Sequence, residues 1–413
     1  MSIREFAIIL RLGVRIANFG GRMPKKPRAV DGGNDGSPGE NPENGMRFPD
    51  RDDAWVARVR DRLVDWFEGA GRKLPWREDR DPYRILVSEM MLVQTTVVAV
   101  IPYFARFLER FPSVEALAAA DETDVLKAWE GLGYYRRARQ LQAAARSIVA
   151  DHAGRFPEDL ESIRALPGVG RYIAGALISF AFDRPAPIVE ANTQRVLARW
   201  LAWDADLKST RSQARLWEAA ARMVPEIGAG DFNQAFMELG ALICTPKAPS
   251  CLICPVASEC LSRRLGVQDR IPVSSPKPPP KQVGEACALV ERGGRYLIVK
   301  RGPGRLWEGF WEFPTIHVAG PDPAGRGVGD PDLTVGVLRL SGVSASVGPL
   351  EKTLRFGVTT HRVTLDVHRA AWLGGEPTPG PGLVEAAWEP VGTLGRHAMS
   401  SATRQLVAWL GRP

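Results

Sequence analysis

The chain has 413 residues, 45% of them hydrophobic and 24% charged, which is ordinary for folded protein and long enough for two or three domains. No apolar run nears the roughly 18–20 residues of a membrane span, and five cysteines are too few for a disulfide-stapled secreted scaffold. The formal net charge of +7 allows a nucleic-acid partner without requiring one.

Residues 1–50 read as a disordered basic and polar extension. The first 28 carry seven basic side chains and one acidic. Arg11 interrupts the apolar stretch and no small-residue cleavage site follows, so no signal peptide is expected and a cytoplasmic location is. Residues 31–45 are mostly Gly, Asn, Pro, Asp and Glu, a composition that cannot bury a core. Met46, just after them, is a second candidate start.

From 51 to 265, apolar residues recur at three- and four-residue spacing in Trp55–Phe67, Ile101–Phe111, Val125–Trp129, Ala138–Val149, Thr193–Trp203 and Gln213–Met223. This predicts an all-helical domain. Tyr83–Ile101 is apolar nearly all round and reads as a buried helical segment. Residues 266–282 are Pro-rich and read as a stiff linker. Beyond it, Ala286–Glu291 and Arg295–Arg301 are β-type runs split by Gly293-Gly294, a hairpin signal. Val363–Ala371 is a further strand, and 319–332 a loop. The span 283–413 is therefore expected to be a separate α+β domain.

Three features carry chemistry. Cys244, Cys251, Cys254 and Cys260 are spaced C-x6-C-x2-C-x5-C; four thiols so close in sequence suit one metal centre, either an iron–sulfur cluster or tetrathiolate zinc. Cys287 lies in a predicted strand and reads as core. Leu166-Pro167-Gly168-Val169-Gly170 precedes the helical Arg171–Phe182. Glycines let such a turn approach a ligand closely, and the following helix offers free N–H groups to a phosphate. Glu89 sits in the apolar Tyr83–Ile101 segment, where lost hydration raises a carboxyl pKa. Glu190 opens a helix near Asn192, and a helix N-terminus favours the charged form. Two carboxyl groups with diverging pKa values suit cleavage of a glycosidic bond.

The cysteine loop resembles the [4Fe–4S] loop of the endonuclease III superfamily, and the glycine turn its helix-hairpin-helix. More closely, residues 55–265 resemble the adenine DNA glycosylases (the MutY family), through Leu74-Pro75-Trp76-Arg77, Ser88–Thr95, Gly131–Tyr135, Leu166–Tyr172, Phe232–Ala235 and the cysteine loop. The resemblance implies a multidomain fold. An all-α helix-hairpin-helix glycosylase domain with an iron–sulfur loop is followed by an α+β Nudix-like domain, matched through Leu306–Pro314. It implies excision of adenine mispaired with 8-oxoguanine or guanine in duplex DNA; one chain carries every required part, so a monomer is expected. It assigns catalysis to Glu89, Glu190, Tyr172 and Asn192, and an adenine pocket to Arg72, Trp76, Leu92, Val97 and Gln234. Gln94 and Tyr134 enter the base stack, and Gly168, Val169 and Gly170 hold the backbone. Cys244, Cys251, Cys254 and Cys260 hold one [4Fe–4S] cluster, and Thr360 and His361 contact 8-oxoguanine.

The chain departs from that pattern in three places. Glu190 stands where the family has Asp, Val93 where it has the first of two glutamines, and Thr359 where it has the Phe of a Phe-Ser-His segment. Three other readings stay open. A bifunctional glycosylase–lyase places Lys at the position of Tyr172. A Nudix hydrolase needs a Glu-rich metal-binding helix, and the residues after Pro314 are Gly- and Pro-rich instead. The third is a non-catalytic DNA-binding relative.

Overall fold

Short polar side chains start most of the helices, each worth about 0.5–2 kcal/mol. Asp52, Asp81, Thr96 and Ser113 cap α1 (Asp53–Ala70), α2 (Pro82–Leu92), α3 (Val97–Arg110) and α4 (Val114–Ala119). Helices α5 (Glu122–Trp129) and α6 (Arg136–His152) begin without a side-chain cap. Asp159 caps α7 (Leu160–Ala165), and α8 (Arg171–Phe182) starts at Gly170. Glu190 and Ser209 cap α9 (Ala191–Leu201) and α10 (Thr210–Met223). Helix α11 (Ala229–Leu242) follows Gly228, and the short α12 (Leu261–Leu265) follows Cys260. This computed structural model describes residues 52–273, 278–304, 306–321 and 332–411. The extension expected over 1–50 lies outside them, as does most of the loop expected over 319–332. Among the described residues no helix is long and apolar enough to cross a membrane.

The helices form two apolar cores. One is built largely from α2, α3, α5, α6 and α8 around the fully buried Trp129, which meets Phe107 edge-on at 5.9 Å. The other joins α1, α9, α10 and α11, with Trp200 stacked on Phe236 at 5.1 Å. The first helix closes against the far end of the domain: Trp55 Nε1 donates to the Glu259 carbonyl at 3.2 Å.

Two expectations need correction. Tyr83–Ile101 is not one buried segment: it holds nearly all of α2 and the start of α3, broken at Val93–Thr96, and beyond the break Val98 is 80% exposed. An all-round apolar pattern cannot mark a turn; Thr96 marks this one by accepting the Ala99 N–H. The segment read as linker from 266 is packed at its beginning. Ile271 is 4% exposed against Ala198 and Ala202, and Arg199 Nε donates to its carbonyl at 2.8 Å.

The C-terminal part holds β1 (Lys281–Arg292), β2 (Arg295–Arg301), β3 (Trp311–Glu312), β4 (Thr315–Ala319), α13 (Leu333–Ser341), β5 (Ser344–Val358), β6 (His361–Gly374), β7 (Leu383–Pro390) and α14 (Ser401–Leu410). The sheet runs β3-β2-β1-β6-β5, with β4 on β1 and β7 on β2; β1 and β6 are parallel. Gly293 and Gly294, at φ 57° and 76°, make the predicted hairpin turn, where both central residues need positive φ. Cys287 is buried in the sheet core. Phe310 leaves this part to pack on Tyr135 of the helical part at 4.3 Å, and Arg404 Nη2 pairs with Glu130 at 2.8 Å.

Gly240 lets α11 lie against the start of α9: a Cβ added there would sit 2.6 Å from Asn192 Cβ and 3.1 Å from its carbonyl oxygen. Gly240→Ala should therefore overpack this contact and lower stability by about 1–3 kcal/mol, read as a lower denaturation midpoint in chemical unfolding.

Candidate active site

A cleft of about 540 Å³ is lined by apolar residues of the first core and by residues of α9 and α11. Glu89 and Leu92 of α2, Gln94 from the break and Val97 of α3 line it. Tyr172 of α8, Glu190 and Asn192 at the start of α9, Gln234 and Glu238 of α11, and Arg72, Trp76 and Arg77 complete it. Ten residues singled out from the sequence (Arg72, Trp76, Glu89, Leu92, Gln94, Val97, Tyr172, Glu190, Asn192 and Gln234) thus share one cavity, as does Val93. Tyr134, Thr360 and His361 do not line it. Tyr134 is 50% exposed on the turn before α6, and Thr360 is exposed on the turn between β5 and β6, beside His361.

Glu89 is 3% exposed, placed inward by a helix buried on nearly every side. Tyr172 Oη donates to its Oε2 at 2.6 Å. Burial pushes the Glu89 pKa up from 4.5 to about 7; the Tyr172 bond and the Arg77 cation oppose this, and Glu190 adds to it. Burial and the nearby carboxyls push the Tyr172 phenol well above its ordinary value, so it remains a proton-bearing donor.

Glu190 folds its carboxylate over the start of α9. Oε2 accepts the Asn192 N–H at 2.8 Å and Oε1 the Thr193 N–H at 2.9 Å, while Thr193 Oγ1 accepts the Glu190 N–H at 2.8 Å. This reciprocal capping box satisfies the helix end. The sequence reading expects the helix terminus to keep Glu190 charged. Burial outweighs it: the Glu190 pKa is also raised, with the two N–H groups and Arg195 pulling it back. The two carboxyls are therefore both shifted upward rather than driven apart.

Two participants are not singled out by the sequence. Glu238, 1% exposed, accepts Arg72 Nε at 2.7 Å and Nη2 at 2.9 Å, and Arg77 Nη2 at 3.0 Å. Burial works to raise this carboxyl, and the two arginines hold it below its ordinary value. Its spacing four residues after Gln234, on the same helix face, is the signal that could have found it. Arg72 accordingly reaches the cleft as half of an ion pair. Arg195 is the second. Its Nη2 donates to Asn192 Oδ1 at 2.9 Å and to the Gly240 carbonyl at 2.6 Å, and its Nε to the Cys244 carbonyl at 2.7 Å.

Cys244, Cys251, Cys254 and Cys260 line a second, small cavity together with Arg199, whose Nη1 stands 3.2 Å from Cys244 Sγ. Burial pushes the Cys254 thiol up to about 12, and the other three sulfurs add to the effect. Four thiols facing one cavity suit an all-thiolate group that would relieve that crowding. No set of three or more metal-ligating side chains among the described residues is gathered around a single-ion site.

At the hairpin, Gly168 takes φ 76°, and a Cβ there would lie 2.6 Å from the Gln140 side chain. Val169 is buried, and Gly170 leaves the first N–H groups of α8 clear of any side-chain cap.

Residues 87–222 match the HhH-GPD superfamily of base excision DNA repair proteins, and residues 286–409 a NUDIX domain. The chain is similar to the adenine DNA glycosylase of Homo sapiens, at 36% identity over 64% of this chain and 59% of that protein. It is also similar to the adenine DNA glycosylase of Buchnera aphidicola subsp. Schizaphis graminum, at 33% identity over 62% of this chain and 74% of that protein. The match thus spans about three-fifths of the human relative's length. A thermostable thymine-DNA glycosylase aligns at 30% identity and a TM-score of 0.49, over 52% of this chain and all of its own.

A carboxyl that titrates near 4.5 unfolded and near 7 folded binds its proton more tightly in the folded chain. Its contribution to stability is full below the lower value and declines as pH rises to the upper one. Glu89→Gln should remove that part of the decline, seen by comparing chemical unfolding of the two proteins from pH 4.5 to 7.5. Parallel pH profiles would mean that Glu89 is not the titrating group.

Proposed function

This chain belongs to the adenine DNA glycosylase family, and on that premise we propose that it removes adenine mispaired with 8-oxoguanine or guanine from duplex DNA by hydrolysing the N-glycosidic bond. The observation that carries the reading is Glu89: a buried carboxyl with a pKa near 7, sharing one cleft with a second carboxyl, Glu190.

Each residue then has a task its surroundings suit. The hairpin at Gly168–Gly170 and the N–H groups opening α8 grip the DNA backbone without reading sequence. Gln94 and Tyr134 enter the stack as adenine swings out, which compensates the few kcal/mol of unstacking. Trp76, Leu92 and Val97 offer apolar walls to the base, and Gln234 and Arg72 polar contacts. Glu89, held by the Tyr172 hydroxyl, gives its proton to adenine N7 as the C1′–N9 electron pair leaves with the base. Glu190 stabilises the oxocarbenium-like sugar or forms a transient acetal with C1′, while Asn192 fixes the start of α9. Glu89, now a carboxylate, takes a proton from the attacking water, whose oxygen bonds to C1′, and an abasic site remains.

The C-terminal domain is the proposed reader of 8-oxoguanine through Thr360 and His361. Helix α13, with sequence LTVGVLRLS, carries no carboxylate, and this supports recognition over nucleotide hydrolysis. Tyr172 at the lyase-lysine position supports hydrolysis without strand cleavage. A [4Fe–4S] cluster would be held by Cys244, Cys251, Cys254 and Cys260. When bound, it supplies a four-thiolate cross-link beside the segment that Arg195 ties to Asn192.

Under single-turnover conditions on an A:8-oxoguanine duplex, the protein should excise adenine with a rate that falls as pH rises through about 7. Glu89→Gln should lose at least the roughly 10²–10⁴-fold typical of a missing acid–base group, with DNA binding retained. Absence of excision by the native protein would sink the reading. A rise in rate for Glu190→Asp would mark the longer side chain as a handicap, and a fall would mark the cleft as built around it.

Anaerobically purified protein should be brown and hold about four irons per chain. One stoichiometric zinc in a colourless preparation would contradict the cluster.

A further inference from the structure

Two turns beside the cleft hold non-glycine residues in the left-handed backbone region: Gln94 at φ 59° and Tyr134 at φ 49°. Such residues cost of order 1–3 kcal/mol each and persist only where their surroundings fix them. One side chain fixes both turns. Arg137, near the start of α6 and only 8% exposed, donates from Nη1 to the carbonyls of Met90 at 2.6 Å and Met91 at 2.9 Å. These are last-turn carbonyls of α2, the helix of Glu89. From Nη2 it donates to Thr95 Oγ1 at 3.2 Å and to the Gly133 carbonyl at 3.4 Å. Its guanidinium lies 5.4 Å from the Tyr134 ring centroid and 5.5 Å from that of Trp129.

These hydrogen-bond partners are neutral oxygens, contributed by both turns and by the end of α2. Burying a cation is costly unless its donors are satisfied; these four bonds serve Nη1 and Nη2, and Nε is buried without a partner. Only a planar fork can serve oxygens on two sides at once, which a lysine ammonium on a flexible stem cannot reproduce.

We propose that Arg137 is the positioning residue that joins the Gln94 and Tyr134 turns into one rigid wedge set against the catalytic helix. The proposal rests on the reading that Gln94 and Tyr134 enter the base stack. Neither residue then acts alone: displacement of one turn moves the other through the shared guanidinium.

The test uses the full-length protein purified with its cysteine loop intact. Arg137→Lys is the working variant, and Arg137→Met the harsher one. A 2-aminopurine beside the target adenine reports extrusion, and single-turnover excision is measured on two duplexes, adenine opposite 8-oxoguanine and adenine opposite an abasic gap, where extrusion costs less. Arg137→Lys should slow extrusion and excision roughly ten- to a hundredfold on the first duplex, the scale of a 1 Å misplacement. Excision on the second should change far less, and the pH midpoint should stay in place. Gln94→Ala and Tyr134→Ala should be non-additive in the native background and additive beside Arg137→Lys. Equal losses on both duplexes, or the same additivity in both backgrounds, would overturn the proposal. If the native protein excises nothing, the functional reading fails instead. Extrusion fluorescence of native and Arg137→Lys proteins on the same duplex still decides whether the wedge exists.

Discussion

A carboxyl group kept from water inside a helical core is the constraint from which the rest of the site follows. Glu89 can hold a proton near neutral pH only because α2 is enclosed on nearly every side. Enclosure alone would leave it an unpaired polar group, and Tyr172 supplies a hydroxyl that reaches it. That bond lowers the pKa, so burial and hydrogen bonding act in opposition. The balance near 7 suits a group that must give a proton and later take one. Glu190 lives under the same tension with different partners. Backbone N–H groups of α9 take the place of the phenol and pull its raised pKa back down.

The cleft is also a junction of arginine forks. Arg72 and Arg77 meet on Glu238, Arg195 joins α9 to α11 and the thiol loop, and Arg137 joins the end of α2 to the turn before α6. In each case a planar group with several donors satisfies helix-end carbonyls or a buried carboxylate that would otherwise be costly. Apolar packing brings the helices together, but these forks set the distances at which helix ends stand from the cleft. The C-terminal domain reaches the same region by packing Phe310 on Tyr135, next to the turn that carries Tyr134.

Much of this was legible in the sequence. The helix Arg171–Phe182, the Gly293-Gly294 hairpin and the gathering of ten distant residues in one cleft follow from periodicity, turn chemistry and family motif. What escaped has a common physical cause. Arg137, Arg195 and Glu238 look in sequence like ordinary charged helix residues, and their burial is decided largely by partners 42 or more residues away. The break at Val93–Thr96 was hidden because a segment apolar all round carries no periodic signal. The upward shift of Glu190 was missed because a helix terminus is a local feature, whereas burial at its mouth is a tertiary one.

The contact between Trp55 and Glu259 spans 204 residues, and it has a consequence for biosynthesis. Among the described helices α1 emerges first from the ribosome, yet it packs on α10 and α11, and its indole waits for a carbonyl in the thiol loop. At roughly 5–20 residues per second, translation of that interval takes about 10–40 s. For that time the earliest helix is a nascent amphipathic segment without its docking surface. The helical domain can be completed only when the cysteine loop has been made, so its closure and the assembly of its thiol cavity fall in the same step of synthesis.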